Sequence, residues 1–193
     1  MGEGYLKKIA YATARHEKAY LPSQDTKLLR RSVKEYTGGS ALEIGFGSGS
    51  VTEELSKNFK LVVGTELILH REQFSSLGGP WHRIIADRAT CFRSSIFDIV
   101  VFNPPYLPSD SIEDITVDGG GGGVEIPLLF LDEALRVIRR DGKVLMVISN
   151  AGEIARIETR CRAMGLRFRI IAEEDLFYES LYVYEIRWKE EGP

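Results

Sequence analysis

Two hydrophobic periods take turns along this chain. Short continuous apolar runs, each bounded by Gly, Asp, Asn or Pro, read as strands buried on both faces, the form expected of a parallel sheet. They fall at residues 41–45, 60–66 with Leu61, Val62 and Val63 at the centre, 84–87, 97–103 and 144–148. Segments between them carry apolar residues at helical spacing. Leu28, Leu29, Val33 and Tyr36 mark a first helix closed by Gly38 and Gly39, and either Ser23 or Asp25 could cap its start. Residues 51–58 predict a short helix and 67–77 another, closed by Gly78, Gly79 and Pro80. Residues 126–139 predict a strongly amphipathic helix, and 151–164 one ended by Gly165. Two further strands, 166–171 and 180–188, finish the chain. In the second, Leu181, Val183 and Ile186 are set against Tyr182 and Tyr184, as in an antiparallel hairpin.

Strand and helix alternate before that hairpin. The order predicts an α/β fold: a Rossmann-like, seven-stranded, mostly parallel sheet with helices on both faces and an antiparallel C-terminal strand. One domain is expected over 1–193, with 21–193 as its core. Residues 1–20 mix aromatic, small and basic residues without a clear period and read as a loosely docked arm. Residues 119–123 are consecutive glycines, a mobile or tightly turned segment.

Composition removes some function classes. A net charge of −3 over 193 residues argues against an electrostatic nucleic-acid binder. Cys91 and Cys161 are the only cysteines, so neither a disulfide framework nor a zinc set is expected, and both read as buried small apolar residues. His16, His70 and His82 are scattered and read as surface or packing residues; no metal site is expected. No apolar run reaches membrane-spanning length, and residues 1–10 are too polar for a signal peptide. A reducing, cytoplasmic setting follows as the expectation.

The chemistry gathers at strand ends. Ile99, Val100, Val101 and Phe102 lead straight into Asn103-Pro104-Pro105-Tyr106. Proline fixes its own φ and holds the preceding residue extended, so Asn103 and the Pro104 carbonyl should sit rigidly at a strand's carboxyl end. In open α/β sheets that edge binds ligands. An amide oxygen and a main-chain carbonyl side by side can accept both N–H bonds of a planar NH2 group, and Tyr106 can stack on its plane.

Other strands end in kind. The first ends Glu43-Ile44-Gly45-Phe46-Gly47-Ser48-Gly49. Its glycines let the backbone turn tightly and approach a ligand. A dinucleotide fingerprint would place a further small residue where Ser50 stands, so hydride transfer is disfavoured. Glu43 would repel a pyrophosphate and suits a ligand with a cationic amino group. Glu66 ends the second strand, where an acid can take both ribose hydroxyls. Asp87 ends the third and could accept from an adenine amino group. Glu43, Glu66, Asp87 and Asn103 thus end four successive strands along one carboxyl edge.

This arrangement resembles the class I S-adenosylmethionine-dependent methyltransferases. Within them it resembles the HemK/PrmC group, which methylates a glutamine side-chain amide nitrogen. The resemblance runs from about Tyr20 to Trp188. It rests on Pro22-Ser23-Gln24-Asp25-Thr26, the glycine loop, Glu66, Asp87, Asn103-Pro104-Pro105-Tyr106 and Glu179-Ser180-Leu181. It implies S-adenosyl-L-methionine as cofactor, held by Thr26, Glu43, Gly45, Gly47, Glu66, Asp87 and Asn103. It implies Asn103, Pro104 and Tyr106 as the catalytic set. Glu66 stands where the family usually has Asp; the longer side chain should still reach a ribose.

The 193 residues leave no room for a helical docking domain before the core, so the resemblance is expected to be to the short archaeal and eukaryotic form. That form methylates a class I translation release factor at its Gly-Gly-Gln motif. It works with a small zinc-binding activator, which here would pair near residues 81–87, with Ile84 and Ile85 as candidate contacts.

Two rivals stand beside this reading. The same Asn-Pro-Pro-Tyr corner serves adenine N6 and guanine N2 in nucleic-acid methyltransferases. Arg156, Arg160, Arg162, Arg167 and Arg169 favour that rival, although a solvated face is the plainer account of them. A non-catalytic binding protein is the other; the intact corner argues against it.

Overall fold

In the computed structural model, residues 23–68 and 79–189 are described. The arm expected at 1–20, residues 69–77 of the helix expected at 67–77, His16 and His70 lie outside the described residues.

The main sheet has seven strands. In chain order they are β1 (Gly38–Ile44), β2 (Phe59–Glu66), β3 (His82–Ile85), β4 (Phe97–Phe102), β7 (Ile138–Ser149), β8 (Leu166–Asp175) and β9 (Ser180–Trp188). A two-residue β5 (Leu107–Pro108) pairs with β6 (Asp118–Gly120) apart from it. Across the main sheet the order is β3-β2-β1-β4-β7-β9-β8. The first five are parallel, and β9 runs antiparallel to both β7 and β8. This is the expected architecture, with the last strand inserted inside the edge hairpin.

Strands buried on both faces need two cores, and two are present. On one face Leu42, Val100, Phe102, Val144, Met146 and Ile148 pack under α3 (Glu125–Val137) and α4 (Ile154–Ala163). On the other, Ala41, Ile99, Val101, Leu145 and Val147 pack under α1 (Gln24–Ser32) and α2 (Ser50–Leu55). Neighbours along one strand alternate between the cores, so a one-residue slip would exchange them. In β9, Leu181 and Val183 face the second core, whereas Tyr184 and Ile186 face the first. Ile186 is thus on the side of Tyr184, a correction to the grouping expected from sequence, because side chains two apart share a face.

Several bounds moved. Ser23 is the residue before α1, and Asp25 lies in its first turn. The helix expected to reach 139 stops at Val137, and β7 starts at once at Ile138 and runs through Asp141 and Gly142, ahead of the strand expected at 144–148. The register slips there: Phe97 pairs with Ile138, but Ile99 with Lys143. Asp98 occupies the slip, accepting the Gly39 and Ser40 N–H groups at 2.8 and 2.7 Å and pairing with Arg139. Those bonds start β1 at Gly38, ahead of its apolar run. Cys161 is buried as expected, but Cys91 is exposed, because β3 and β4 are joined by an irregular surface segment. No described helix is long and apolar enough to cross a membrane.

Candidate active site

A cavity of about 340 Å³ opens at the carboxyl ends of β1, β2 and β4. β1 continues through its helix to β2 on one side and lies against β4 on the other, so this is the sheet's topological switch point, where such folds bind ligands. Gly45, Gly47, Glu66, Asp87, Asn103 and Tyr106 all line it. The structure therefore brings together most of the residues singled out from sequence.

The glycine loop closes over the end of β1. Gly45, Gly47 and Gly49 have φ of 74°, 47° and 74°, a backbone region that side-chain-bearing residues seldom adopt. Gly45 and Phe46 both donate to the Thr65 carbonyl, at 2.8 and 3.0 Å, which clamps the loop to β2. Phe46 turns away into the second core, edge-on to Trp81 at 5.2 Å. Gly47 N–H then meets Glu66 Oε2 at 2.9 Å, while Oε1 accepts Leu67 N–H at 2.9 Å. Two main-chain donors thus fix the Glu66 carboxylate at the cavity wall.

Glu43 and Thr26 are placed differently. Neither lines the cavity. Glu43 lies beneath the glycine loop, 5% exposed, and accepts a hydrogen bond from Thr52 Oγ1 of α2. Burial holds its carboxyl up at about 8; the Thr52 bond opposes this and the nearby Glu66 charge adds to it. Thr26 is buried and donates to Asp25 from its N–H at 2.5 Å and its hydroxyl at 3.3 Å.

Asp87 does line the cavity, two residues past the end of β3. Buried Arg88, with φ of 49°, holds it through an Nη1 to Oδ1 contact at 3.0 Å. Ala86 N–H bonds the Glu66 carbonyl at 2.9 Å and carries the β2 to β3 pairing up to this acid.

Asn103 carries the sharpest observation. It follows four residues of β4 that are at most 1% exposed. Its Oδ1 is buried and accepts no hydrogen bond from any described residue. A buried acceptor left unmet costs about 1–3 kcal/mol. Beside a cavity, such an acceptor can be met by a donor that enters it. The chain turns at Pro104 and Pro105 to Tyr106, whose hydroxyl donates to Asp25 Oδ2 at 3.0 Å.

Three features have no role assigned to them from sequence. Asp25 lines the cavity and is 5% exposed, yet its partner is far along the chain; from sequence it reads as a cap and as part of a motif shared by resemblance, with no place at the site. Glu179 also lines the cavity and accepts from Ser149 Oγ at the end of β7. The third is the glycine run. A Cβ on Gly119 would lie 2.8 Å from the Tyr106 Cα, and one on Gly123 2.3 Å from the Tyr106 carbonyl oxygen. This run is the surface on which the Asn103–Tyr106 turn is seated. It forms β6 and a short turn, a resolution of the two readings in favour of the tight one.

The arginines that favoured a nucleic-acid partner are mostly paired. Arg156 meets Glu153, Arg160 meets Asp132, Arg162 meets Glu158 and Arg169 meets Glu185.

No family model matches the chain. A Methanocaldococcus jannaschii protein, provisionally named a protein N5-glutamine methyltransferase, is 25% identical over 182 residues, covering 87% of this chain and 91% of that protein. Among solved structures, the E. cuniculi Mtq2–Trm112 complex, responsible for methylating the eRF1 translation termination factor, aligns with a TM-score of 0.75. Identity is 27%, over 89% of this chain and 99% of that one. The T. thermophilus 16S rRNA N2 G1207 methyltransferase RsmC, solved with AdoMet and guanosine, aligns at TM-score 0.63 and 20% identity, over 91% of this chain and 41% of that one; at that identity it speaks for the fold alone. Its sheet order, its cavity and these likenesses give the chain the fold of an S-adenosylmethionine-dependent methyltransferase, similar in sequence and structure to protein N5-glutamine methyltransferases.

Proposed function

We propose that this enzyme methylates the side-chain amide nitrogen of the glutamine in the Gly-Gly-Gln motif of a class I translation release factor. The buried, unmet Asn103 Oδ1 is the observation that carries the reading. A primary amide offers two N–H donors in one plane. Asn103 Oδ1 takes one and the Pro104 carbonyl the other, and the Tyr106 ring lies on the amide plane.

S-adenosyl-L-methionine supplies a methyl already activated on a sulfonium, so the chain's work is to bind, orient and desolvate. Glu66, fixed by the Gly47 and Leu67 N–H groups, receives the ribose hydroxyls, and its two preset oxygens fit that diol. Asp87 accepts from the adenine amino group. Gly45 and Gly47 let the backbone come close. Glu43 and Thr26 act from beneath, by setting the glycine loop and Asp25. At the acceptor, the grip of Asn103 and Pro104 draws the nitrogen lone pair partly out of amide resonance and points it at the methyl. The proton leaves to water after transfer.

A small activator subunit pairs with the edge strand β3, and we propose a zinc-binding one. β3 has a strand on one side only, so its outer N–H and C=O groups offer a ready template. Ile85 is 66% exposed and Leu61 of β2 is 44% exposed. Ile84 instead packs against the first core and Trp81 is buried, so Ile85 is the contact of the two proposed from sequence. A translation-factor substrate puts this work in the cytoplasm.

Mass spectrometry of the Gly-Gly-Gln peptide tests the reading. The release factor is incubated with the enzyme and S-adenosylmethionine, with and without the activator. One added methyl on that glutamine is the expected result. No methyl in either arm, with cofactor binding intact, overturns it.

A further inference from the structure

Among the described residues, Phe177 and Tyr178 are the most exposed large apolar side chains, at 91% and 93%. They are neighbours at the tip of the β8–β9 hairpin, with rings edge-to-face at 4.7 Å. Exposed aromatic pairs are costly to keep in water, and a contiguous one marks a surface that meets something.

The tip is braced from four directions. Leu176 N–H bonds the Glu179 carbonyl at 2.8 Å and closes a tight turn around the pair. Ser180 Oγ donates to Asp175 Oδ1 at 2.6 Å across its base. Asn150 is bonded to Ser180 twice, through its side-chain oxygen at 2.9 Å and its N–H at 3.1 Å. Ser149 Oγ holds Glu179. The aromatic pair is thus presented on a fixed turn.

Its position names the occupant. β9 runs antiparallel to β7, with Leu181 opposite Ser149, so the tip lies at the carboxyl edge that carries the cavity. Glu179, next to Tyr178, lines that cavity together with Tyr106 and the partly exposed Leu107. A glutamine side chain can reach Asn103 only if its own main chain crosses the cavity mouth. Two glycines before it leave no side chains there to grip. What such a loop offers is flat peptide groups, and flat apolar rings suit them.

We infer that Phe177 and Tyr178 form the lip of the substrate entrance and bind the main chain of the loop that presents the acceptor glutamine. This rests on the protein-glutamine reading above and adds a specificity element to it. Both side chains act on substrate capture, while the transfer step belongs to the Asn103–Tyr106 turn.

The test is steady-state methylation of the release factor by the enzyme–activator complex carrying Phe177→Ala and Tyr178→Ala together. KM for the release factor should rise roughly tenfold or more, as when aromatic anchors are truncated at an interface. At saturating substrate kcat should stay within about twofold, the signature of lost uniform binding. Cofactor affinity and thermal midpoint should not move, and Phe177→Tyr with Tyr178→Phe should keep the wild-type KM. If wild type methylates the glutamine and the double variant does so with unchanged KM, the lip is overturned and the substrate reading stands. If wild type leaves the glutamine unmodified, the substrate reading falls and the lip with it. If the double variant no longer co-purifies with the activator, the pair belongs to the subunit interface and the lip is overturned.

Discussion

The Tyr106 hydroxyl donates to Asp25 Oδ2 at 3.0 Å, joining the end of the Asn-Pro-Pro-Tyr turn to the first turn of α1. Asp25 is also held at Oδ1 by Ser23 and Thr26, so the carboxylate is an anchor with little freedom of its own. Tyr106→Phe removes the donor while keeping the ring. Hydrogen bonds to charged groups contribute about 1.5–3 kcal/mol, so kcat for glutamine methylation should fall roughly tenfold as the ring loses its fixed tilt. Asp25→Ala should do worse, because it strands several donors at once, with a stability loss of about 2–3 kcal/mol in a urea melt. Wild-type kcat in Tyr106→Phe would show that the bond positions nothing.

Asn103→Ala should leave the fold in place and remove the reaction. The side chain accepts nothing from the described protein, so its loss strands no donor. Removing one preset group that acts at the reacting centre costs roughly 10²–10³ in kcat by analogy with oxyanion-hole donors. The measurement is single-turnover methyl transfer with saturating S-adenosylmethionine, alongside a cofactor titration. Turnover like wild type would rule out the amide grip.

Most of the fold, and much of the cavity wall, was readable because both depend on local signals. Buried parallel strands announce themselves as apolar runs, and each strand end that matters is marked by glycine, proline or an acid. Asp25, Glu179 and the seating of the glycine run lacked such marks. Asp25 meets Tyr106 only after β4 has crossed to the middle of the sheet, and Glu179 meets Ser149 only once β9 lies against β7. Ile186 was misplaced for a different reason. Both faces of this sheet are buried, so apolar character does not give facing and only parity along the strand assigns a side.

Gly123→Ala should separate close approach from backbone freedom. Gly123 has φ of 68°, and a Cβ there would come within 2.3 Å of the Tyr106 carbonyl oxygen. That neighbour is main chain and cannot rotate away. Gly165 has a similar φ of 69° but nothing within 4 Å of its would-be Cβ. Gly165→Ala should therefore cost only the left-handed penalty, about 1–2 kcal/mol. Gly123→Ala carries that penalty and the collision too, and should cost at least about 1 kcal/mol more while displacing Tyr106. Paired chemical melts and methylation rates of the two variants check this. Equal stability losses with activity retained would mean the run is not the turn's seat.

Glu43 makes the fold sensitive to pH in an unusual direction. Its carboxyl is held at about 8 in the folded protein, against 4.5 for an exposed glutamate. Between those values the folded state keeps a proton that the unfolded chain has released. Stability from this group is complete below about pH 4.5 and is lost as pH rises toward 8, at up to about 1.4 kcal/mol per unit. Asp98 and Glu185, whose carboxyls are held below the ordinary range by main-chain, arginine and tyrosine donors, act with the opposite sign and only at lower pH. The difference between wild type and a Glu43 variant from about pH 5 to 8 therefore reports Glu43. Glu43→Gln retains an acceptor for the Thr52 hydroxyl and removes the ionisation. In buffers spanning that window, the wild-type thermal midpoint should fall with rising pH, and the variant's should fall clearly less. Parallel pH profiles would place the Glu43 carboxylate in its ionised form within the fold, and the loop above it would then rest on a buried charge.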